Sequence, residues 1–411
     1  MKLICIILMF LLPVTVLSQG WVQCYNNNDQ AEFIKVFTLD VNHVFIVGYN
    51  GVLIRTSNGG YSWEYIQTNT TKWLSDLTFV NSSTGFICGE SGTFLKTTDG
   101  GNTWNPCTTN TILNLTSLCF INSDTGWISA SDNIPLPSSG DTGLILKTTN
   151  GGNSFIVCQG FHAAIQKVSA FNKDTCLAIS DGNTGCNILK TTNSWISWQN
   201  IFNCWESCPL TSIKTFPTGL AYVSGYTGML YKTIDFGMSW DSTALDSLQF
   251  VVDMSFPSPD TGYTAGYYSF LDVSSINSTN DGGQTWNWDL YENSIYFTSV
   301  NFLNDSIGFA ATGGGAIYKH GIITGISPGL RLINPSICVY PNPATDRITV
   351  ELSGETQESN VSIFNIEGQR VITSQITESK TQVDISNLPS GVYFVRVTNE
   401  RTVEVGKVVK K

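Results

Sequence analysis

The sequence predicts an all-β chain: a seven-bladed β-propeller followed by a small antiparallel β-sandwich. Three observations predict it. An eight-residue turn signature recurs six times at a nearly constant spacing. Charged residues are only 13% of the chain, aromatics 12%, and there are 37 glycines, a composition that favours many short strands over helices. From Ile337 onward the repeat stops, yet period-two alternation of apolar residues continues.

Taken in order, Lys2, the apolar run Leu3–Leu12, Pro13 and the small-residue step Val16-Leu17-Ser18 predict a signal peptide over residues 1–19. The apolar run is too short to anchor in a bilayer, which takes about 20 residues. No transmembrane segment is expected elsewhere. The signature reads TTDGGNTW at Thr97–Trp104 and returns at Thr56–Trp63, Thr148–Phe155, Thr191–Trp198, Thr233–Trp240 and Thr279–Trp286. Its aromatic positions are 41, 51, 43, 42 and 46 residues apart. The longest interval holds a turn-rich insertion, Ser131–Thr142. Each signature follows two alternating apolar runs, a short glycine turn and a third run, and it opens a fourth. Four strands at a period of about 40–50 residues is a propeller blade.

A seventh copy begins at Phe297 and stops at His320 without signature or fourth strand. The missing piece stands at the other end of the domain, where Trp21–Tyr25 resembles the strand after each signature. We therefore expect Trp21–Tyr25 to pair with the last blade and close the ring, giving a propeller over 20–320. Residues 321–336 read as a linker, and 337–411 as the sandwich, with turns at Glu367-Gly368 and Ser390-Gly391.

Ten cysteines remain after the signal, an even number in an exported chain, and Cys176/Cys186 and Cys204/Cys208 are the expected disulfides. Cys24, Cys107 and Cys158 share one position in three repeats and are expected as buried thiols. No CxxC pair stands in the sequence, so no metal and no cofactor are expected. From Arg331 on, nine basic and nine acidic residues balance, so the net charge of −11 belongs to the repeat region. An acidic domain lacks the basic footprint of a nucleic-acid binder. A monomer is expected.

Within the signature, Asp or Asn accepts backbone N–H bonds of the turn, glycines take positive φ, and the Ser or Thr before the aromatic bonds back. Asp99, Asp235 and Asp281 are read as structural, because Asn58, Asn150 and Asn193 replace them elsewhere. Trp63, Trp104, Trp198, Trp240 and Trp286 are expected to wedge between blades. Copy four departs, with Ser194-Trp195 in place of glycines. The pattern resembles the Asp-box, or BNR, repeat. Sialidases carry that repeat and hold a substrate carboxylate with three arginines. This propeller has one, Arg55, at a strand position filled elsewhere by Lys96, Lys147, Lys190 and Lys232, so a sialidase is excluded. The glycine turn, apolar strand and Lys-Thr that precede the signature resemble the photosystem II assembly factor-like BNR propellers. The arginine-rich face tied to that family's assembly role is missing.

The signature turns join strands three and four, so the opposite face, built from the two–three turns and inter-blade connections, is the expected binding face. It collects Tyr49, Trp73, Glu90, Asp181, Trp205, Tyr226 and Tyr267 as candidate ligand contacts, with Tyr291 and Tyr296 on connections. Rings and carboxylates of this kind suit a glycan or protein ligand. Glu90 and Asp181 are also the one pair that a glycoside hydrolase reading would use.

At the end of the chain, Val339-Tyr340-Pro341-Asn342-Pro343-Ala344-Thr345-Asp346, Gly368 and Pro389-Ser390-Gly391-Val392-Tyr393 resemble the type A sorting domain of the type IX secretion system. That resemblance implies export across the outer membrane of a Bacteroidetes-type Gram-negative bacterium, with the secretion machinery as a partner. The expected function is a noncatalytic, secreted or surface propeller that binds a glycan or protein. Hydrolysis of an extracellular polysaccharide and scaffolding of surface proteins stand as alternatives.

Overall fold

The computed structural model describes residues 19–26, 31–132, 142–182, 185–204, 209–226, 228–245, 249–268, 273–293, 295–322, 331–332, 337–352, 359–365, 369–376, 378, 380–398 and 403–411. The signal-peptide expectation, Trp205, Cys208, the Glu367-Gly368 turn and most of the insertion fall outside these residues, as do the side chains of Asp181 and Cys204. No α-helix occurs among the described residues, which hold only two single-turn 3-10 segments, Tyr49–Gly51 and Glu90–Gly92.

Seven antiparallel sheets follow one another along residues 19–332. Sheet one is Phe33–Thr38, Val44–Gly48, Leu53–Thr56 and Glu64–Tyr65. Sheet two is Leu74–Phe79, Gly85–Gly89, Phe94–Thr97 and Asn105–Pro106; sheet three is Asn114–Phe120, Gly126–Ser131, Gly143–Thr148 and Ile156–Phe161. Sheet four is Ala164–Ala170, Cys176–Gly182, Gly185–Thr191 and Gln199–Cys204; sheet five is Leu210–Thr215, Ala221–Gly225, Met229–Thr233 and Asp241–Ala244. Sheet six is Gln249–Ser255, Gly262–Tyr268, Val273–Thr279 and Asn287–Asn293. Sheet seven takes Phe297–Phe302, Gly308–Thr312 and Ala316–Ile322 from the end of the repeat region and its fourth strand, Gln19–Asn26, from the beginning.

That last pairing is antiparallel and sets Trp21 opposite His320 and Tyr25 opposite Ile317. Trp21 is buried between sheets six and seven with Tyr263, Phe297, Phe302 and Tyr318. The second strands, such as Val44–Gly48 and Ala221–Gly225, are buried throughout, because a neighbouring sheet covers each of their faces. Their sequences are therefore continuous apolar runs rather than alternating ones.

First strands meet one another in chain order, and the first strand of sheet seven meets that of sheet one. All seven carry a register shift at the same place, for example between Phe33 and Lys35 and between Val251 and Asp253. The residue after the shift is Lys35, Asp76, Ser117, Lys167, Ser212, Asp253 or Ser299, polar in every sheet. Several of these side chains accept the free N–H of the next sheet's inner strand. Leu118 N–H donates to Asp76, Met254 N–H to Ser212, Val300 N–H to Asp253 and, across the closure, Val36 N–H to Ser299 at 3.2 Å. Adjacent inner strands share no ladder, so these links satisfy backbone groups that would otherwise be orphaned.

Part of the expected linker is strand. Gly321 and Ile322 continue the third strand of sheet seven because Gly20 and Gln19 extend the pairing, and Arg331–Leu332 adds a fifth strand on Val22-Gln23. Beyond it, the three-stranded sheet Ile337–Tyr340, Arg347–Leu352, Lys380–Asp384 and the four-stranded sheet Arg370–Ile376, Ser359–Asn365, Gly391–Thr398, Val403–Lys410 share one core. Ile348, Val350, Val361, Ile363, Val395 and Val408 fill it with no exposed surface. Asn342 of the Pro-Asn-Pro motif accepts the N–H of Val409 at 2.9 Å, which ties the last strand to the first turn. Phe394, on this four-stranded sheet, is buried against Tyr268, Val273 and Trp288 of sheet six.

The expected Cys176–Cys186 disulfide is not formed. Cys176 opposes Thr191 and Cys186 opposes Asp181, so the two lie five residues apart along paired strands. That is about 16 Å, beyond the roughly 7 Å between Cα atoms that a disulfide tolerates. Cys176 is a buried free thiol, and Cys24, Cys107 and Cys158 are free and only half-buried.

Candidate ligand-binding face

The six signature turns all lie at one end of the sheets, where each packs on the one–two turn of its own sheet. Gly59 N–H donates to Asn42, Gly100 to Ser83, Gly151 to Asp124 and Gly282 to Asp260. In Thr97–Trp104 the Asp99 carboxylate accepts the N–H groups of Asn102 and Thr103 at 3.0 Å and the Thr103 and Thr97 hydroxyls at 2.7 Å. Asn58, Asn150 and Asn193 accept the same N–H of the Ser four residues on. The Thr103 N–H and hydroxyl, with weaker help from Thr97, hold the Asp99 carboxyl down at about 2. A carboxylate so enclosed by donors is a hydrogen-bond hub, without the raised pKa of a general acid.

The second glycine of each turn abuts the preceding sheet. A Cβ on Gly101, at φ 82°, would sit 2.5 Å from the Phe45 ring. Copy four solves the same contact differently. Ser194 and Trp195 adopt φ 58° and 75°, and Trp195 is fully buried, stacked on Trp127 of sheet three at 4.1 Å. Of the wedge aromatics, Trp240 meets Phe202 and Trp63 meets Phe309 of the preceding sheet at 6.1 and 6.3 Å, whereas Trp104, Trp198 and Trp286 meet Phe79, Trp195 and Phe256 of their own sheets at 5.8, 5.2 and 6.2 Å.

The other end of the sheets carries the two–three turns. In Tyr49–Gly51 and Glu90–Gly92 the backbone passes so close to the next connection that a Cβ on Gly51 would lie 1.9 Å from the Thr70 carbonyl. Only glycine fits there, and the turn lifts Tyr49 into solvent at 39% exposure. Tyr49 stands edge-on to Trp73 of the neighbouring sheet, 5.6 Å between centroids. Burial and the nearby Glu32 carboxylate raise its phenol above the usual range. Glu90 receives the Lys72 ammonium at 3.3 Å and the Trp73 N–H at 3.4 Å, so its carboxylate positions the Trp73 connection.

Further round the same face, Tyr226, Phe250, Tyr267 and Tyr296 form a second cluster across sheets five, six and seven. Phe250 lies 5.1 Å from Tyr267 and 5.6 Å from Tyr226, and Tyr267 lies 6.0 Å from Tyr296, which is 56% exposed. The structure thus groups Tyr49, Trp73 and Glu90 in one patch and Tyr226 and Tyr267 in another. The Asp181 backbone ends a strand of sheet four on this face, while its side chain and Trp205 lie outside the described residues. Tyr291 is a correction: it lies inside the strand Asn287–Asn293, paired with Ser275 and packed against the C-terminal core, rather than on a connection. Phe250 was not among the sequence candidates, since as the second residue of an inner strand it reads as core.

Between the two ends runs the polar ring. Lys35 pairs with Asp253 at 2.8 Å across sheet seven, and Ser299 donates to the same carboxylate at 2.6 Å. Burial opposes both charges, yet Asp253 and Asp76 hold the Lys35 pKa above its usual value, and Lys35 and Lys167 hold that of Asp253 below. Among the described residues no three His, Cys, Asp or Glu side chains gather as metal ligands, and no helix is long and apolar enough to cross a membrane.

Comparison with known proteins agrees with this architecture. Residues 61–201 match the family of the photosynthesis system II assembly factor YCF48, and residues 338–411 match the secretion system C-terminal sorting domain. Karilysin of Tannerella forsythia is 32% identical over 92 residues, 20% of this chain and 19% of karilysin, so the chain spans only about a fifth of that relative's length. Among solved structures, YCF48 bound to a D1 peptide superposes with a TM-score of 0.58 at 19% identity over 74% of this chain and 96% of its own. PorZ, a surface component of the type IX secretion system of Porphyromonas gingivalis, superposes with a TM-score of 0.53 at 11% identity over 94% of this chain and 60% of its own. At those identities the likeness concerns the fold, a β-propeller. Residues 61–201 thus carry repeats of the YCF48 family on a β-propeller, and residues 338–411 form a type IX sorting domain, which exports the chain to the surface or exterior of a Bacteroidetes-type cell.

Proposed function

We propose that the protein is a secreted or surface-attached, noncatalytic receptor: a seven-bladed propeller over residues 20–320, followed by a small antiparallel β-sandwich, that binds a glycan or protein ligand on the two–three-turn face. The carrying observation is the paired aromatic patches, Tyr49–Trp73 and Tyr226–Phe250–Tyr267–Tyr296, at the opposite end from the structural signature turns. Half-exposed rings at 5–6 Å spacing offer apolar faces to a sugar ring or to the side chains of an extended peptide, with phenol hydroxyls as donors at the rim. The seven sheets and the closing contact of the first and last inner strands support the blade count. The peptide bound to YCF48 supports a peptide arm of the test.

The test is retention of the secreted chain on immobilised polysaccharides and on a peptide library, with Tyr267→Ala/Tyr296→Ala beside wild type. Retention that the double variant weakens about tenfold, at an unchanged unfolding temperature, is the expected result. Polysaccharide hydrolysis that Glu90→Gln abolishes would replace this reading with a glycoside hydrolase. Equal retention by variant and wild type would remove the face from consideration.

A further inference from the structure

A cleft lies at the opposite end of the propeller, between the signature turns of sheets four and five. Its origin is a repeated lysine. In the third strand of three sheets, a lysine sits over the aromatic residue paired with it and also reaches the next sheet's signature turn, and in two more a cation makes one of these two contacts. Lys96 lies 5.8 Å from the Phe86 ring centroid and donates to the Gly151 carbonyl at 2.8 Å. Lys232 lies 5.4 Å from Tyr222 and donates to Gly282 at 3.1 Å; Lys319 lies 5.9 Å from Phe309 and donates to Gly59 at 2.9 Å. Arg55 reaches Asn102 of the next turn at 2.7 Å, and Lys147 lies 5.5 Å from Trp127.

Lys190 occupies this position in sheet four and has neither partner. Its cross-strand neighbour is Leu177, which has no π face. The carbonyl it would reach belongs to the first residue after the signature aspartate of sheet five, and there the usual glycine is Phe236. Phe236 adopts φ 62° and turns its ring into the interface, edge-on to Phe171 at 5.1 Å. Among the described residues Lys190 makes no hydrogen bond or ion pair. Where Arg55, Lys96, Lys232 and Lys319 clamp their sheets to the next turn, sheet four instead opens a cleft of about 340 Å³, lined by Lys190, Thr192, Ser197, Gln199, Ile201 and Met238. Gly237 completes the lining.

We propose that this cleft binds one carboxylate-bearing sugar residue, a uronic acid unit. Its volume lies at the small end of ligand sites, enough for a single ring rather than a longer segment. An ammonium without a protein partner selects a compact anion. Thr192, Ser197 and Gln199 supply hydroxyl and amide groups for ring hydroxyls, while Ile201 and Met238, the latter 77% exposed, offer an apolar surface to the ring's C–H face. The proposal does not depend on the aromatic face, which lies at the other end of the sheets.

The test follows the Met238 methyl group by NMR in the full secreted chain, its signal assigned with Met238→Leu, during titration with glucuronate and, separately, glucose. Glucuronate should shift the signal saturably, glucose should do so at least tenfold more weakly, and Lys190→Met should weaken the glucuronate response about tenfold or more. Because Lys190 holds no structural bond, Lys190→Met should unfold at the wild-type temperature, which keeps the comparison interpretable. A glucuronate response equal in Lys190→Met, an equal response to glucose, or no response in wild type would each overturn the proposal.

Discussion

Replacing Trp21 by Ala tests whether the ring is held closed by the strand from the beginning of the domain. Trp21 is 4% exposed and packs between sheets six and seven, edge-on to Phe302 at 5.7 Å and against His320 at 5.1 Å. Truncating a buried Trp to Ala costs about 3–5 kcal/mol, the lost transfer energy plus the cavity left behind. Unfolding entropy near 2.1 cal/mol/K per residue, over the roughly 300 residues from Gln19 to Ile322, gives about 0.6 kcal/mol/K. The expected fall in apparent unfolding temperature is therefore about 5–8 °C. Differential scanning calorimetry at one scan rate would measure it, with Tyr61→Ala as control because Tyr61 is 62% exposed on a signature turn. The control should move the transition by no more than about 1 °C. If Trp21→Ala shifts no further than Tyr61→Ala, the closing strand contributes nothing to stability and the closure argument fails.

Two further outcomes follow from the charges. In the folded chain the signature carboxylates titrate below the unfolded value: Asp99 and Asp281 fall to about 2 and Asp235 lower still, where the Ser239 hydroxyl and N–H lead. For Asp281 burial works the other way and the Thr285 hydroxyl and N–H outweigh it. A depressed folded pKa contributes stability above the unfolded value near 3.8 that is lost as pH falls towards 2. The triple variant Asp99→Asn/Asp235→Asn/Asp281→Asn, which repeats the residue found in the natural Asn copies, should therefore fold and show a shallower loss of stability between about pH 4 and 2; an unchanged acid profile would refute the assignment. Asp253→Asn removes the paired counter-charge of the largely buried Lys35 ammonium, leaving only Asp76 to offset it, and should cost about 3 kcal/mol by denaturant titration, most of which Lys35→Met/Asp253→Leu should restore. Equal losses in the single and double variants would contradict a penalty that arises from the unpaired charge.

Six repeated signatures made the sheet succession and the closing strand legible in the sequence, because turn chemistry is local: Asp99 needs only Asn102 and Thr103 beside it, and Trp21 declared itself as an orphaned fourth strand. The sorting domain was equally readable from its Pro-Asn-Pro and Pro-Ser-Gly segments. Contacts between repeats were not. Lys35 and Asp253 stand 218 residues apart, and only ring closure brings them to 2.8 Å. The same holds for Phe250, whose place in the aromatic cluster comes from a neighbouring sheet, and for Trp195, an apparent defect in the repeat that fills the contact its missing glycine would have made. Cysteine spacing misled because sequence distance within a hairpin says nothing of register, and Cys176 and Cys186 fell at opposite ends of theirs. The sequence alone determined what each repeat is, since a blade is specified by residues within about 40 of one another. The tertiary structure decided which side chains of different blades meet, and with them the aromatic face and the unclamped Lys190, because those meetings depend on the angle at which whole sheets pack.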